Sequence, residues 1–190
     1  MFFLKRLKFF LPNFFTVLNL IYGSIGLFFL LFDNILHASI FFFFGMFFDF
    51  FDGFIARFFN VYSLFGKYLD SFSDLITFGL LPSFIFYKIL NIVSGNDYLF
   101  LIILSFLVFS SIRLSNFNIF KNNLFIFKGI LVPINSSFII FFFYFFFFEE
   151  RIFLKDLIGN FYLLFFLFFL FSYFLIVDFF LHTFMMFNFI

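Results

Sequence analysis

Asp49-Phe-Phe-Asp-Gly-Phe-Ile-Ala-Arg57, followed after eight residues by Gly66-Lys-Tyr-Leu-Asp-Ser-Phe-Ser-Asp74, is the most informative stretch of the chain. It holds four of the ten acidic residues in a sequence that is otherwise mostly apolar. If the first half is helical, five of its residues fall within an arc of about 140°: Asp49, Asp52, Gly53, Ala56 and Arg57. Gly66, Asp70 and Asp74 fall within about 80° on the next helix. The spacing therefore predicts two helices that meet on these faces.

Such a meeting would gather four carboxylates, those of Asp49, Asp52, Asp70 and Asp74. Carboxylates in a low-dielectric setting do not stay ionised together unless cations neutralise them. Two divalent ions would balance the four charges, and all-oxygen ligands suit Mg²⁺ or Mn²⁺. The alternative is a set of helix caps or solvated loop acids, but the spacing favours a metal site.

The residues around the acids have a chemical rationale of their own. Glycine at position 53 lets a nucleotide or diphosphate approach the backbone closely. Arg57, one turn later, offers a fork of donors that suits phosphate oxygens. Paired metals can polarise a diphosphate while a carboxylate takes the proton from an attacking hydroxyl.

The whole pattern resembles the signature of the CDP-alcohol phosphatidyltransferases, D-x2-D-G-x2-A-R-x8-G-x3-D-x3-D, and every fixed position is matched. The resemblance implies that the four aspartates surround two metal ions and that Asp74 is also the general base. It implies further that a set of signature residues holds the CDP-lipid. These are Asp52, Gly53, Ala56, Arg57, Gly66 and Asp70.

Composition indicates an integral membrane protein. The 190 residues are 66% hydrophobic and 11% charged, with a mean hydropathy of +1.23, which leaves little polar surface for a soluble globule. The chain has no cysteine, which excludes disulfides and thiolate sites. A net charge of +1 excludes a polybasic nucleic-acid binder.

Apolar runs predict an all-α bundle of six transmembrane helices in one domain covering residues 1–190. Residues 1–12 are predicted as a basic interfacial segment that ends at Pro12, where a helix would start. The predicted spans are 13–32, 36–57, 69–90, 98–117, 129–148 and 157–181, with a polar loop at 60–67.

The Lys and Arg residues predict the orientation. Eight of the eleven fall on the side that carries the N-terminus and the signature, and three fall on the other. By the positive-inside rule, both termini and the active site face the cytoplasm of a bacterial inner membrane.

Other segments resemble the serine-using branch of the family. They are 11–20, with the pattern P-N-x2-T-x2-N-L, then 112–118 and 127–133, and the D-S-x2-D-x2-T-F-G-x2-P run that starts at Asp70. For Thr16 and Asn19, hydrogen bonding between helices and contact with substrate are equally open. Taken alone, Arg113 is better explained by snorkelling to lipid phosphates than by a role at the site. For Lys128, topology or attraction to lipid headgroups is as open as a role at the site. The predicted acceptor-binding residues are Ser73, Thr77, Arg113, Asn116 and Lys128.

The expected activity is transfer of a phosphatidyl group from CDP-diacylglycerol to L-serine, with release of CMP. The resemblance also implies a homodimer among membrane lipids. One alternative is the same fold with glycerol 3-phosphate or inositol phosphate as acceptor. A more distant alternative is a cation transporter, whose acids would be distributed across the bilayer depth.

Overall fold

The computed structural model describes residues 2–61, 63–94 and 100–120, together with the single residues 133, 136, 137 and 140. All described elements are helical. Helix α1 is Phe2–Leu31, α2 is Ile35–Phe59 and α3 is Leu64–Asp74; a π-helical segment, Leu75–Leu80, leads into α4, Leu81–Ser94, and α5 is Phe100–Phe120. The chain divides into two compact units, Met1–Ile85 and Phe86–Ile190.

Short capped turns join the first three helices. Asp33 has a left-handed backbone with φ 57°, and the Asn34 side chain then caps α2 by accepting from the His37 amide at 3.3 Å. Helix α2 ends at Phe59 and is followed by the C-cap Asn60, also left-handed, with φ 51°. Ser63 caps α3 by accepting from the Gly66 amide at 2.9 Å. The predicted loop at 60–67 is therefore shorter, because α3 already begins at Leu64.

This second turn fixes the register of the signature. Asp49 lies ten residues before the end of α2, and Asp74 lies ten residues after the start of α3. At the helical rise, both lie about 15 Å from the turn along antiparallel helices. The two halves of the signature therefore reach the same depth.

Helix α1 has a polar, small-residue face inside and an apolar face outside. Its buried positions recur every three or four residues; they are Pro12, Thr16, Asn19, Gly23, Gly26 and Leu30. Large apolar side chains on the other face are exposed, among them Phe14, Ile21 and Phe28. An apolar exterior around a polar interior is the arrangement expected of helices in lipid.

Glycines let α1 and α2 approach the π-helical segment. A Cβ on Gly23 would lie 3.1 Å from the Thr77 Cβ and 3.2 Å from its Cα. A Cβ on Gly45 would lie 2.6 Å from the Thr77 Cγ2. Because Thr77 is fully buried between them, these glycines set the spacing of the three elements.

The first three predicted spans are confirmed as helices long and apolar enough to cross a membrane, at Phe10–Leu31, Ile35–Phe59 and Leu64–Ile89. The predicted helix start at Pro12 is wrong, because α1 begins at Phe2 and contains Pro12. The Pro12 carbonyl accepts from the Thr16 hydroxyl at 3.0 Å, so this acceptor is satisfied within the helix. The fourth prediction coincides with α5, and the fifth and sixth spans lie almost wholly outside the described residues.

The glycine contacts generate a stability prediction. We expect Gly23→Ala to lower the free energy of unfolding by about 1–3 kcal/mol, because the added methyl overpacks a rigid contact. Ser24→Ala is the matched control, since this neighbouring side chain is exposed and donates to the Leu20 carbonyl of its own helix. It should change stability by less than about 0.5 kcal/mol. Chemical unfolding in detergent measures both; equal effects would contradict the packing role.

Candidate active site

Three of the predicted acidic residues converge. Asp49 on α2 and Asp70 and Asp74 on α3 each place a carboxylate oxygen within 4.8 Å of the others. All three side chains are half-buried. Three carboxylates at this separation repel one another strongly unless a proton or cation lies between them. The geometry therefore suits a metal site.

Asp52 lies one turn after Asp49 but outside that group of three. Its side chain is 6% exposed, and its Oδ2 is a buried oxygen with no hydrogen-bond partner among the residues that the structure describes. The Thr16 side chain and the Gly53 amide face the same carboxylate. A buried acceptor without a partner is costly. The Asp52 carboxylate and those of Asp49, Asp70 and Asp74 together provide the all-oxygen donor set that Mg²⁺ and Mn²⁺ prefer.

Asn19 links α1 to the acidic helix. Its Nδ2 donates to the Ser73 hydroxyl at 3.3 Å and to the Asp74 Oδ1 at 3.4 Å. The backbone carbonyl of Asn19 accepts from the Thr77 hydroxyl at 3.2 Å. Of the two interpretations open for Asn19, the structure shows hydrogen bonding between helices.

Ser73 and Thr77, predicted to contact the acceptor, are both fully buried. Ser73 donates to the Asp70 carbonyl at 2.9 Å and accepts from Asn19. Thr77 packs against Gly23 and Gly45. Both side chains thus have structural partners, and acceptor binding by them stays a prediction.

The two signature glycines have different surroundings. At Gly53, the three atoms nearest to an added Cβ all belong to the exposed Arg57 guanidinium, at 3.6, 3.7 and 3.9 Å. At Gly66, an added Cβ would meet the Asn13 Oδ1 at 2.5 Å and the Ser63 Oγ at 2.9 Å. Packing therefore accounts for Gly66, whereas no rigid neighbour requires a glycine at position 53.

The remaining predicted residues are only partly described. Ala56 is half-buried on α2, one residue before Arg57. Arg113 lies on α5 in the second unit. The Asn116 side chain and Lys128 lie outside the described part of the chain.

Sequence reasoning did not identify two contacts of α1, Asn19 with Asp74 and Asn13 with Gly66. The signal was present in the spacing of Asn13, Thr16 and Asn19, because steps of three residues keep side chains on one broad helix face. The spacing within α1 does not indicate which helix packs against this face.

Comparison with known proteins supports the resemblance. Residues 9–184 match the sequence model of the family described as CDP-alcohol phosphatidyltransferase. A CDP-diacylglycerol–serine O-phosphatidyltransferase of Bacillus subtilis is 42% identical over 127 residues, which is 65% of this chain and 70% of that protein. No solved structure matches the chain.

Two further relatives carry the same name. The Helicobacter pylori protein is 32% identical over 123 residues, covering 65% of this chain and 52% of that protein. The Saccharomyces cerevisiae protein is 43% identical over 84 residues, covering 43% of this chain and 29% of that protein. With the matched region spanning most of the sequence and the acidic cluster inside it, the chain belongs to the CDP-alcohol phosphatidyltransferase family.

Proposed function

We propose that this protein transfers the phosphatidyl group of CDP-diacylglycerol to L-serine, giving phosphatidylserine and CMP. The observation that carries the proposal is the convergence of Asp49, Asp70 and Asp74, beside the unpartnered Asp52 oxygen. The serine O-phosphatidyltransferase relatives support serine as the acceptor. The matched region spans 70% of the Bacillus protein but about half of the Helicobacter protein.

The four aspartates are proposed to hold two divalent ions, Mg²⁺ or Mn²⁺. Bound ions would polarise the diphosphate of the donor and neutralise charge on the departing CMP. Asp49 and Asp52 present their carboxylates from α2, and Asp70 and Asp74 present theirs from α3. The capped turn between the helices keeps the two pairs at a common depth.

The CDP-lipid is proposed to lie along the α2 face that carries Gly53, Ala56 and Arg57, beside Asp52, Gly66 and Asp70. The absent side chain at position 53 leaves room for a phosphate to approach the backbone. The Arg57 guanidinium already lies over this position, so its donors can bind phosphate oxygens there.

Asp74 is proposed as the general base. As the serine hydroxyl oxygen forms its bond to the phosphatidyl phosphorus, Asp74 takes the hydroxyl proton. The bond between that phosphorus and the anhydride oxygen breaks, and CMP leaves with the bonding electrons. Atoms and charge are balanced without another co-reactant.

Serine suits the chemistry around Asp74 better than a phosphorylated acceptor does. No Lys or Arg occurs from position 68 to position 87. A phosphate dianion next to Asp74 would need cationic partners, and burying it without them costs several kcal/mol. A zwitterion such as serine needs a small polar pocket and one cation for its carboxylate, a role proposed for Arg113, Lys121 or Lys128.

The distant alternative of a cation transporter is not favoured by the geometry. Asp49, Asp70 and Asp74 are concentrated in one cluster, whereas an ion path needs groups at successive depths.

We further propose a homodimer in a bacterial inner membrane, with the site and both termini cytoplasmic.

Acceptor choice is the most direct functional test. Purified protein given CDP-diacylglycerol and Mg²⁺ or Mn²⁺ should release CMP with serine at least about 100-fold more efficiently than with glycerol 3-phosphate or inositol phosphate. Mass spectrometry of the lipid identifies the product. Product formed only with glycerol 3-phosphate would refute the serine assignment and leave the CDP-lipid donor standing.

Metal dependence and the division of roles among the aspartates can be tested together. Excess EDTA should abolish activity, and added Mg²⁺ or Mn²⁺ should restore it.

Asp74→Asn should lower kcat by about 10²–10⁴-fold while CDP-lipid binding persists, because a base is lost. Asp49→Asn should also weaken metal affinity, measured by titrating Mn²⁺. Full activity in EDTA would exclude the metal site, and equal losses of metal affinity would exclude the division of roles.

Gly53→Ala tests the donor site. The atoms nearest to the added methyl belong to the flexible Arg57 side chain and lie at ordinary contact distance, so thermal stability should not fall. The methyl should nevertheless obstruct the phosphate and raise KM for CDP-diacylglycerol by about 10-fold or more. The matched glycine variant is Gly66→Ala, which should lower stability through its contacts with Asn13 and Ser63. An unchanged KM in Gly53→Ala would place the donor elsewhere.

A further inference from the structure

Asn19 is the residue of α1 that contacts the proposed base. The hydrogen bonds from its Nδ2 join it to residues 54 and 55 positions away, Ser73 and Asp74. The side chain is fully buried. Asn19 therefore contacts Asp74 from a different helix, in the buried interior of the bundle.

The direction of these hydrogen bonds is fixed by Ser73. The Ser73 hydroxyl gives its proton to the Asp70 carbonyl at 2.9 Å, so its oxygen faces Asn19 as an acceptor. The Asn19 group at that position must be the NH2, and its second hydrogen is then available to the Asp74 Oδ1. The carbonyl end of the amide faces Gly45, where an added Cβ would lie 3.1 Å from Oδ1.

Close packing leaves the amide little freedom. Thr77 donates to the backbone carbonyl of Asn19 and packs against Gly23 and Gly45. Asn19, Ser73 and Thr77 are all fully buried. The amide is therefore held by its backbone, by the hydroxyl of Ser73 and by the helix spacing that the two glycines allow.

We propose that Asn19 is a positioning residue for the transferase reaction, fixing the plane of the Asp74 carboxylate by donating to its Oδ1. This inference rests on the proposed role of Asp74 as the base. One oxygen bonded to a rigid donor sets the direction in which the other can take the serine proton. Loss of the donor removes one of the restraints on the plane of the carboxylate, and small misplacements of a reacting group cost up to about 100-fold in rate.

The test compares Asn19→Leu, which matches the side chain in shape without the amide, with Asn19→Ala. Initial rates of CMP release give kcat and the KM values for CDP-diacylglycerol and serine. Size-exclusion chromatography and thermal unfolding in detergent give the folded fraction. Ser39→Ala is the control, because Ser39 is a buried α2 residue whose hydroxyl donates to the Ile35 carbonyl on its own helix, at 2.9 Å.

We expect the Asn19 variants to lose about 10- to 100-fold in kcat per folded molecule, with an unchanged KM for CDP-diacylglycerol. Ser39→Ala should retain wild-type kcat. An activity loss that only follows the folded fraction, a kcat that does not change, or failure of both variants to fold would overturn the positioning role. A wild-type protein that releases no CMP with serine would refute the proposed function instead.

Discussion

Carboxylates inside an apolar helix bundle must be matched by cations, protons or donors, and this requirement explains most of the described structure. Asp49, Asp70 and Asp74 lie close together and half-buried between helices whose outer faces are apolar. Asp52 adds a buried oxygen that has no hydrogen-bond partner in the described part of the chain. Such a cluster is unfavourable for a purely structural purpose. It is consistent with a site whose charge is completed by metal ions and a diphosphate.

The packing around the cluster serves the same requirement. Exposed phenylalanines cover the outside of α1 and α2, while glycines and small polar residues occupy the inside. Close approach at Gly23 and Gly45 brings Asn19 within reach of Ser73 and Asp74. The π-helical segment follows Asp74 directly and contains Thr77, which bonds the Asn19 backbone. Such segments often occur at functional sites.

The sequence predicted the family, the first three apolar helices and the convergence of four aspartates, because helical spacing determines which residues share a face. Three of the four, Asp49, Asp70 and Asp74, lie in one group. The sequence could not place Asn19 beside Asp74, since no periodicity relates residues on separate helices. Pro12 was misleading, because local helix-start statistics do not include the strong tendency of a membrane segment to continue as a helix. Ser73 and Thr77 were predicted to bind the acceptor, and the structure gives both of them hydrogen-bond partners within the bundle.

The central claim is that the aspartate cluster binds the catalytic metal ions. Anomalous diffraction at the manganese absorption edge, from crystals grown with Mn²⁺, locates such ions directly. The account predicts two peaks, ligated by Asp49, Asp70 and Asp74, with the Asp52 Oδ2 as a further ligand. Mn²⁺ bound only at other residues of a protein that is active in the same conditions would contradict it.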